Sequence, residues 1–272
     1  TYSSIQGSHR IDLNDFLHDQ QLDLEDIYRP GAGDKSGWTN LKRDAGLIQQ
    51  PPCPEEAYFS RRFASLLHID DSQQLRLMKQ LAEQKGAYNI TSEEEALRLQ
   101  MLAYQIDGQN SQTGSAEDFL KRLATSEPVC EELAQLSDCL LGNVNHVFQP
   151  LPGLEFTPLK LHAAYQQREI LTAVGFLTAM KRAPFRAGVL LLNEIRTELL
   201  FVTLDKSEAT HEGVAYDDYA INSRLFHWQS QNSAAPHTAA GKRYLQSPDN
   251  GWRFQLFVRE NKKAPYYACG PV

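Results

Sequence analysis

The spacing of apolar residues changes once along the chain, close to Pro150 and Pro152. Before this point, over residues 41–149, apolar side chains recur every three or four positions, as in EEAYFSRRFASLLHI, which is typical of amphipathic helices. After it, short apolar runs alternate with turn residues, which is typical of strands. Because prolines break helices, the pattern predicts a helical region over residues 1–149 and a β-rich domain over residues 150–272.

The β-rich domain contains several runs with the composition of strands, and one helix is predicted at about Gln166 to Val174. The runs are GVLLLNE, TELLFVTL, YDDYAIN, RLFHWQSQ, KRYLQ, WRFQLFVRE and APYYACG. Asn250-Gly251 lies between KRYLQ and WRFQLFVRE, and this dipeptide predicts a hairpin because it adopts tight turns at little cost. The predicted fold class is α+β: an N-terminal helical bundle followed by a mixed, mostly antiparallel β-sheet or small barrel with one or two helices.

Composition excludes several classes of protein. The 272 residues are 42% hydrophobic and 22% charged, as in folded globular chains, and no stretch reaches the ~18 apolar residues of a membrane helix. The four cysteines include no CxxC pair, which favours a reducing compartment. We therefore expect a cytoplasmic protein without a membrane partner. The first residue is Thr1 rather than Met, which favours a segment of a longer polypeptide.

Charge is distributed unevenly between the two predicted regions. Residues 1–150 carry 13 Lys and Arg against 23 Asp and Glu, a formal net charge of −10. Residues 151–272 carry 14 against 11, a net charge of +3. Since phosphate attracts cations and repels carboxylates, the C-terminal region is the expected place for nucleic acid.

The sequence lacks the common motifs of catalytic, nucleotide-binding and metal-binding sites. The missing motifs include HExxH, GxSxG, GxGxxG, an HxK pair and paired Cys-His ligands. The glycine-rich GAGDKSG lacks the Lys and hydroxyl that a phosphate loop places directly after its second Gly. Adjacent carboxylates such as Asp70 and Asp71 point in different directions on a strand or a helix, which favours structural or solvated roles for this pair. We expect no catalytic residue, no metal and no cofactor in this segment.

The segment YDDYAINSRLFHWQSQN combines aromatic rings with amides and carboxylates. Rings can stack on a nucleobase while amide and carboxylate groups read its edge, so the segment predicts a base-binding surface. The predicted base-binding residues are Tyr216, Asp217, Asp218, Tyr219, Trp228, Gln229, Gln231 and Asn232.

Core packing is the competing interpretation of the same segment. Alternation along RLFHWQSQ places Phe226 and Trp228 on the face opposite His227 and Gln229, which favours core packing over ligand contact for these two rings. Buried amides cost free energy unless they are hydrogen-bonded, so binding and structural bonding both remain open for the glutamines and for Asn232.

Phosphate contacts are predicted for basic and hydroxyl side chains near this segment. These residues are Lys206, Ser207, Arg224, Lys242 and Arg243. Ordinary turn chemistry also explains Lys206 and Ser207, which follow the run TELLFVTL.

Several motifs resemble those of one known family in their residues and in their order along the chain. The most specific is FHWQSQ at 226–231, supported by TLDKS at 203–207 and YDDYAI at 216–221. Upstream, SGWTNLKRDAG, LLHIDD and LHAAYQQREIL are similar to the helical section of the same family and to the entry to its sheet. The family is a C-terminal domain, long labelled as of unknown function, of bacterial superfamily-two helicases that often carry an N-terminal phospholipase-D-like nuclease.

The resemblance implies a part in an ATP-dependent, modification-dependent (type IV) restriction system for phage defence. Helicase and nuclease domains would lie N-terminal in the same polypeptide, and ATP and Mg would bind there. The C-terminal domain of such proteins is likened to the SET-and-RING-associated fold, which flips bases and reads 5-methylcytosine or hydroxymethylcytosine. For this chain it implies a coupling region over residues 1–149 and a target-recognition domain over residues 150–272, truncated at its C-terminus.

Base flipping suits this task because a closed pocket tests the methyl group and the Watson–Crick edge of a cytosine together. In such a pocket, we expect Asp217 or Asp218 to accept from the N4 amine of the base. A predicted ring would stack on the base, and Gln229 or Gln231 would supply an amide contact. The alternative is a structural module that couples a helicase ATPase to a nuclease or partner protein without reading DNA.

Overall fold

The computed structural model describes residues 12–29, 36–85, 87–108, 115–145, 147–181, 185–205, 218–231 and 234–272. The chain divides into two compact units. The first unit consists of Thr1–Val147 and Arg168–Ala183, and the second of Phe148–Gln167 and Pro184–Val272.

The first unit is built of helices. Within the described residues its helices, in chain order, are α1 (Leu13–Gln20), α2 (Leu24–Ile27), α3 (Trp38–Asp44), α4 (Pro54–Ser60), α5 (Ser72–Glu83), α6 (Glu93–Asp107), α7 (Ala116–Leu123), α8 (Glu127–Asn143) and α9 (Gln167–Ala173). A single 3₁₀ turn at Phe63–Leu66 precedes α5. Helix α9 matches the helix predicted at about Gln166 to Val174. It joins the first unit through a contact of 2.5 Å between His68 Nε2 and Glu169 Oε2, both buried side chains.

Buried carboxylates organise the first unit. Glu132 is fully buried and accepts from the backbone N–H groups of Trp38 (2.7 Å) and Thr39 (3.2 Å) at the start of α3. Burial raises the pKa of Glu132 above its ordinary value. Asp71 caps α5 and forms a buried ion pair of 2.6 Å with Arg98. Of the structural and solvated roles that the sequence favours for this pair, Asp71 has the structural one.

The described part of the second unit contains a mixed five-stranded sheet. Its strands are β1 (Ala164–Tyr165), β2 (Val189–Leu192), β3 (Thr197–Thr203), β6 (Arg253–Arg259) and β7 (Tyr266–Pro271). The strand order is β1-β7-β6-β3-β2, in which β3 and β6 run parallel and the other neighbours antiparallel. The α+β prediction is confirmed. Of the two sheet forms it allowed, the described strands adopt the open sheet, with β1 and β2 as edges rather than joined into a barrel.

The register of β3 and β6 sets the two faces of this sheet. Leu200 is paired with Leu256, and Glu198 with Phe254, so these four side chains share one face. We call it the cleft face. The opposite face carries Phe201 and the other odd-numbered residues of β3, and Phe201 stacks on Phe257 of β6 at 5.6 Å.

The chain between β3 and β6 supplies a two-stranded hairpin and a helix. The hairpin pairs β4 (Tyr219–Ala220) with β5 (Phe226–His227), and the helix is α10 (Ala239–Leu245). The strand predicted at KRYLQ is therefore wrong, because most of this run lies in α10. Thr238 begins the helix by accepting from the backbone N–H of Gly241 at 3.1 Å, and Ala239 and Ala240 favour helix.

The hairpin predicted at Asn250-Gly251 is wrong for the same reason. These residues lead from α10 into β6 instead of joining two strands. Asn250 Oδ1 accepts from the backbone N–H of Trp252 at 2.9 Å, and Gly251 adopts a φ of 73°. The turn propensity of the dipeptide was thus identified correctly, while the element before it was not.

Candidate functional site

An open cleft of about 280 Å³ lies on the cleft face of the second unit. Its floor comes from strands β3 and β6, and its walls come from the hairpin, from α10 and the turn after it, and from the end of β7. The lining residues are Leu200, Phe226, Trp228, Tyr244, Ser247, Phe254, Leu256 and Val272. Apolar and aromatic groups dominate this set, with few polar groups among them, which is the composition of small-ligand sites.

The aromatic walls contact one another. Trp228 and Tyr244 meet edge to face with ring centroids 5.1 Å apart and planes at 81°. Tyr244 also packs against Phe254, at 5.5 Å and 52°. A flat ligand held between two parallel rings needs planes roughly 7 Å apart, which is two van der Waals contacts. The edge-to-face pair therefore leaves no slot between Trp228 and Tyr244, and a flat ligand in the cleft would have to stack on one ring alone.

A buried carboxylate holds the α10 wall in place. Glu198 is only 1% exposed, accepts from Arg243 Nε at 3.1 Å and accepts from the Tyr244 hydroxyl at 2.5 Å. Burial and the neighbouring Glu198 carboxylate raise the pKa of Tyr244 far above its ordinary value, so the phenol stays protonated. The guanidinium of Arg243 also lies over the Trp252 ring, 5.1 Å from its centroid. Arg243 thus has a structural role beneath the wall.

The hairpin has an inner and an outer face. Ala220 is paired with Phe226, and Phe226 and Trp228 turn inward and pack against the buried residues of the cleft face. Tyr219 is paired with His227, and their rings lie 4.9 Å apart on the other face. The predicted alternation along RLFHWQSQ is therefore present at residues 226–228. Trp228 is at once a packing residue and a cleft residue.

The other described members of the predicted base-binding set do not line the cleft. Asp218 Oδ1 accepts from the backbone N–H of Gln229 at 2.9 Å, which joins these two residues at the base of the hairpin. Tyr219 is 52% exposed on the outer face. Gln231 is half-buried, and its backbone carbonyl accepts from the N–H of Ala234 at 2.8 Å. Of the described set, only Trp228 is a lining residue.

The described members of the predicted phosphate-binding set lie on two different elements. Arg224 is exposed in the turn between β4 and β5, and Lys242 is exposed on α10, two residues before Tyr244. Arg243 is engaged by Glu198. The predicted residues Tyr216, Asp217, Asn232, Lys206 and Ser207 lie outside the described residues.

Several lining residues were missed by the sequence-based interpretation. Tyr244 lies in the run read as a strand, and Thr238 followed by two alanines was the signal for the helix that carries it. Phe254, Leu200 and Leu256 were assigned only to strands. Their common face follows from the parallel pairing of β3 and β6, and such a long-range pairing leaves no local signal.

Neither a metal site nor a membrane span is evident in the described part of the chain. No cluster of three or more His, Cys, Asp or Glu side chains is placed to hold a metal ion there. None of its helices is both long enough and apolar enough to cross a membrane.

Comparison with known families gives one match. Residues 159–272 match the family model described as a domain of unknown function, DUF3427. This range contains the cleft and the motifs from LHAAYQQREIL to APYYACG, whereas SGWTNLKRDAG and LLHIDD lie outside it. No curated protein and no solved structure matches the chain.

Proposed function

We propose that the second unit binds double-stranded DNA and holds one extruded, modified cytosine in the cleft. The observation that carries this proposal is the open cleft of about 280 Å³, walled by Trp228, Tyr244 and Phe226 over an apolar floor. Its volume is close to the lower end of small-ligand sites, about 300 Å³. A single nucleobase is a flat ligand of suitable size, and stacking on an open ring suits it.

The floor provides a physical reason for preferring a methylated base. Leu200 and Leu256 line it, so a 5-methyl group directed at the sheet would leave water for an apolar surface. Burying one such group contributes about 0.8 kcal/mol, which corresponds to roughly a 4-fold preference over cytosine. The lining holds two hydroxyl side chains, of which Tyr244 donates to Glu198. Ser247, whose hydroxyl donates to the backbone carbonyl of Trp252 at 3.5 Å, would accept a hydrogen bond from the edge of the base.

The parent protein is, in this proposal, an ATP-dependent, modification-dependent restriction helicase-nuclease. Support comes from the motif resemblance and from the family match over residues 159–272, which includes the cleft. The acidic helical unit would act in coupling, because its excess of carboxylates opposes contact with phosphate. Helicase and nuclease domains of the same polypeptide would be its partners, with ATP and Mg bound there.

Fluorescence anisotropy with a labelled duplex tests the proposal. Two matched duplexes carry either one 5-methylcytosine or cytosine at the same position. Trp228→Leu keeps apolar volume in the cleft and removes the ring, whereas Trp228→Phe keeps a ring. Since stacking contributes about 1–3 kcal/mol per base, we expect Trp228→Leu to weaken binding of the methylated duplex roughly 5- to 150-fold. Trp228→Phe should retain most of the affinity.

Phe156→Leu is the matched control, because this ring is 63% exposed in the same unit and outside the cleft lining. It should leave binding unchanged. Unaltered affinity of a folded Trp228→Leu protein, or wild-type binding that ignores methylation, would contradict the proposal. Those outcomes would favour the alternative, a structural module that couples an ATPase to a nuclease or partner protein.

A further inference from the structure

Strand β2 is an edge of the five-stranded sheet, and some of its backbone groups point away from the sheet. The backbone N–H of Phe201 in β3 donates to the carbonyl of Gly188, directly before β2, at 2.8 Å. Because hydrogen-bonded pairs alternate along an antiparallel ladder, Val189 and Leu191 direct their N–H and C=O groups outward. No hydrogen bond from the described residues reaches these outward groups.

This edge lacks several features that commonly stop a sheet from pairing with another chain. Natural edge strands often carry charged side chains, proline or a bulge. Residues 188–192, GVLLL, contain no charge and no proline, and β2 pairs with β3 without interruption over its four residues. Val189 and Leu191 are only half-buried. The outward side of β2 is therefore a template for one more strand.

The outward groups are arranged so that β2 can pair with itself. In an antiparallel pairing, Val189 of one copy lies opposite Leu191 of the second copy, and each residue of the pair donates to and accepts from the other. Leu190 then lies on a two-fold axis, which is the symmetry of most homodimers. Since residues beside this axis approach copies of themselves, a charge-free strand avoids contact between like charges.

The charged residues that flank β2 select the same register. Arg186 and Glu194 each lie four residues from Leu190, so the register brings Arg186 of one copy toward Glu194 of the other. Both are exposed, and neither forms an ion pair with another described residue. Shifting the register by two residues would bring Arg186 to Leu192 in one direction and to Arg196 in the other. Charge complementarity therefore favours a second copy in one register.

We propose that β2 pairs with β2 of a second copy and joins the two five-stranded sheets into one sheet of ten strands. Four hydrogen bonds would form, two at each pairing of Val189 with Leu191. Directly paired residues share a face, so both clefts would open on the same side of the joined sheet. A four-residue strand makes a small contact, so the dimer is a weak one. The pairing requires no bound base and is independent of the proposed function.

Amide hydrogen exchange followed by NMR tests the pairing at single residues. The amides of Val189 and Leu191 should be unprotected in dilute protein and gain protection as the concentration rises from about 50 µM to about 1 mM. The amides of Leu190 and Leu192 donate to β3, so they are the matched control within the same strand. They should be protected at every concentration.

Sedimentation velocity over the same concentrations measures the dimer itself. Leu191→Pro removes an N–H group that the sheet of one copy does not use, so the unit should remain folded. By symmetry the substitution removes two of the four hydrogen bonds, and the Kd of the dimer should rise at least about 5-fold. Leu225→Ser removes a side chain that is 58% exposed elsewhere in the unit and should leave this Kd unchanged.

Charge reversal tests the register without altering the strand. Arg186→Glu or Glu194→Arg alone would bring like charges together at both ends of the pairing, so each should raise the Kd about 5-fold or more at low salt. The double variant Arg186→Glu, Glu194→Arg restores opposite charges. Its Kd should return to within about 2-fold of the wild-type value.

A protein that stays monomeric up to about 1 mM would overturn the inference. A dimer in which the amides of Val189 and Leu191 stay unprotected would also overturn it. So would a dimer that is weakened by Leu225→Ser and not by Leu191→Pro, because its interface would lie elsewhere. Failure of the double charge reversal to restore the dimer would contradict the register on which the choice of a second copy depends.

Discussion

Removing the Glu198 carboxylate should destabilise the second unit and release the α10 wall of the cleft. The carboxylate is 1% exposed and accepts from Arg243 at 3.1 Å and from the Tyr244 hydroxyl at 2.5 Å. Breaking a buried ion pair by removing one partner costs about 3–5 kcal/mol. The Arg243 side chain is 18% exposed and can recover some solvent, so we expect the lower end, about 3 kcal/mol, for Glu198→Ala.

Urea-dependent hydrogen exchange at the amides of β3 and β6 measures this loss in the second unit itself. Glu198→Gln keeps an acceptor for Tyr244 and loses the charge, so its cost should be smaller, about 1–2 kcal/mol. In a background of Arg243→Leu, Glu198→Ala should cost at least about 1 kcal/mol less than alone, since no cation is left unpaired.

A loss below about 0.5 kcal/mol for Glu198→Ala would refute the reasoning, because surface substitutions fall in that range. The reasoning would also be refuted if Glu198→Ala lowered the unfolding free energy by the same amount with and without Arg243, since Glu198 and Arg243 would then have no coupling energy. Phe156→Leu, on the surface of the same unit, is the control and should leave exchange unchanged.

Three further predictions concern the first unit. Burial raises the pKa of Cys130 and Cys139 from about 9 to about 11, so the thiolate fraction near neutral pH is about 100-fold below that of an open thiol; iodoacetamide and intact mass should show both labelled only in denaturant. Burial raises the pKa of Glu132 above its value in the unfolded chain, so its contribution to the unfolding free energy is complete below about pH 4 and is lost as pH rises through its native pKa. Urea unfolding of the wild-type protein should therefore give a free energy that falls between about pH 4 and pH 8, and Glu132→Gln should remove this pH dependence. Gly37 has a φ of 100°, and a Cβ there would lie 2.7 Å from Glu132 Oε1; Gly37→Ala should lower the unfolding free energy by more than about 1 kcal/mol, and an unchanged melting temperature would contradict this.

Local patterns in the sequence were sufficient to predict many of the helices and strands. Helix α9, predicted at about Gln166 to Val174, forms at Gln167–Ala173 because its apolar spacing and flanking residues agree. The runs TELLFVTL and WRFQLFVRE became β3 and β6 for a similar reason. The strand predicted at KRYLQ was wrong, because Thr238 and the two alanines before this run favour a helix.

The cleft could not be predicted from local patterns, because residues far apart in the sequence form it. Alternation indicated that Trp228 and Gln229 face opposite ways, but proximity in sequence had grouped them into one pocket. The structure separates them, with Trp228 in the lining and Gln229 bonded to Asp218 outside it. Tyr244 joins Trp228 only because α10 packs over the sheet, and Glu198 then fixes that arrangement. Such tertiary contacts override what residue type and spacing indicate.

The parallel pairing of β3 with β6 has a consequence for how binding preference can evolve. Two adjacent strands hold the base of the cavity, while the intervening chain, residues 204–252, carries the hairpin and α10 as a single exchangeable cassette. Insertions, deletions or grafts within this cassette can remodel the walls without shifting the register of the strands beneath. If the cleft holds a modified base, as proposed, swapping this cassette between homologous proteins is a direct way to transfer preference for one modified base to a scaffold that reads another.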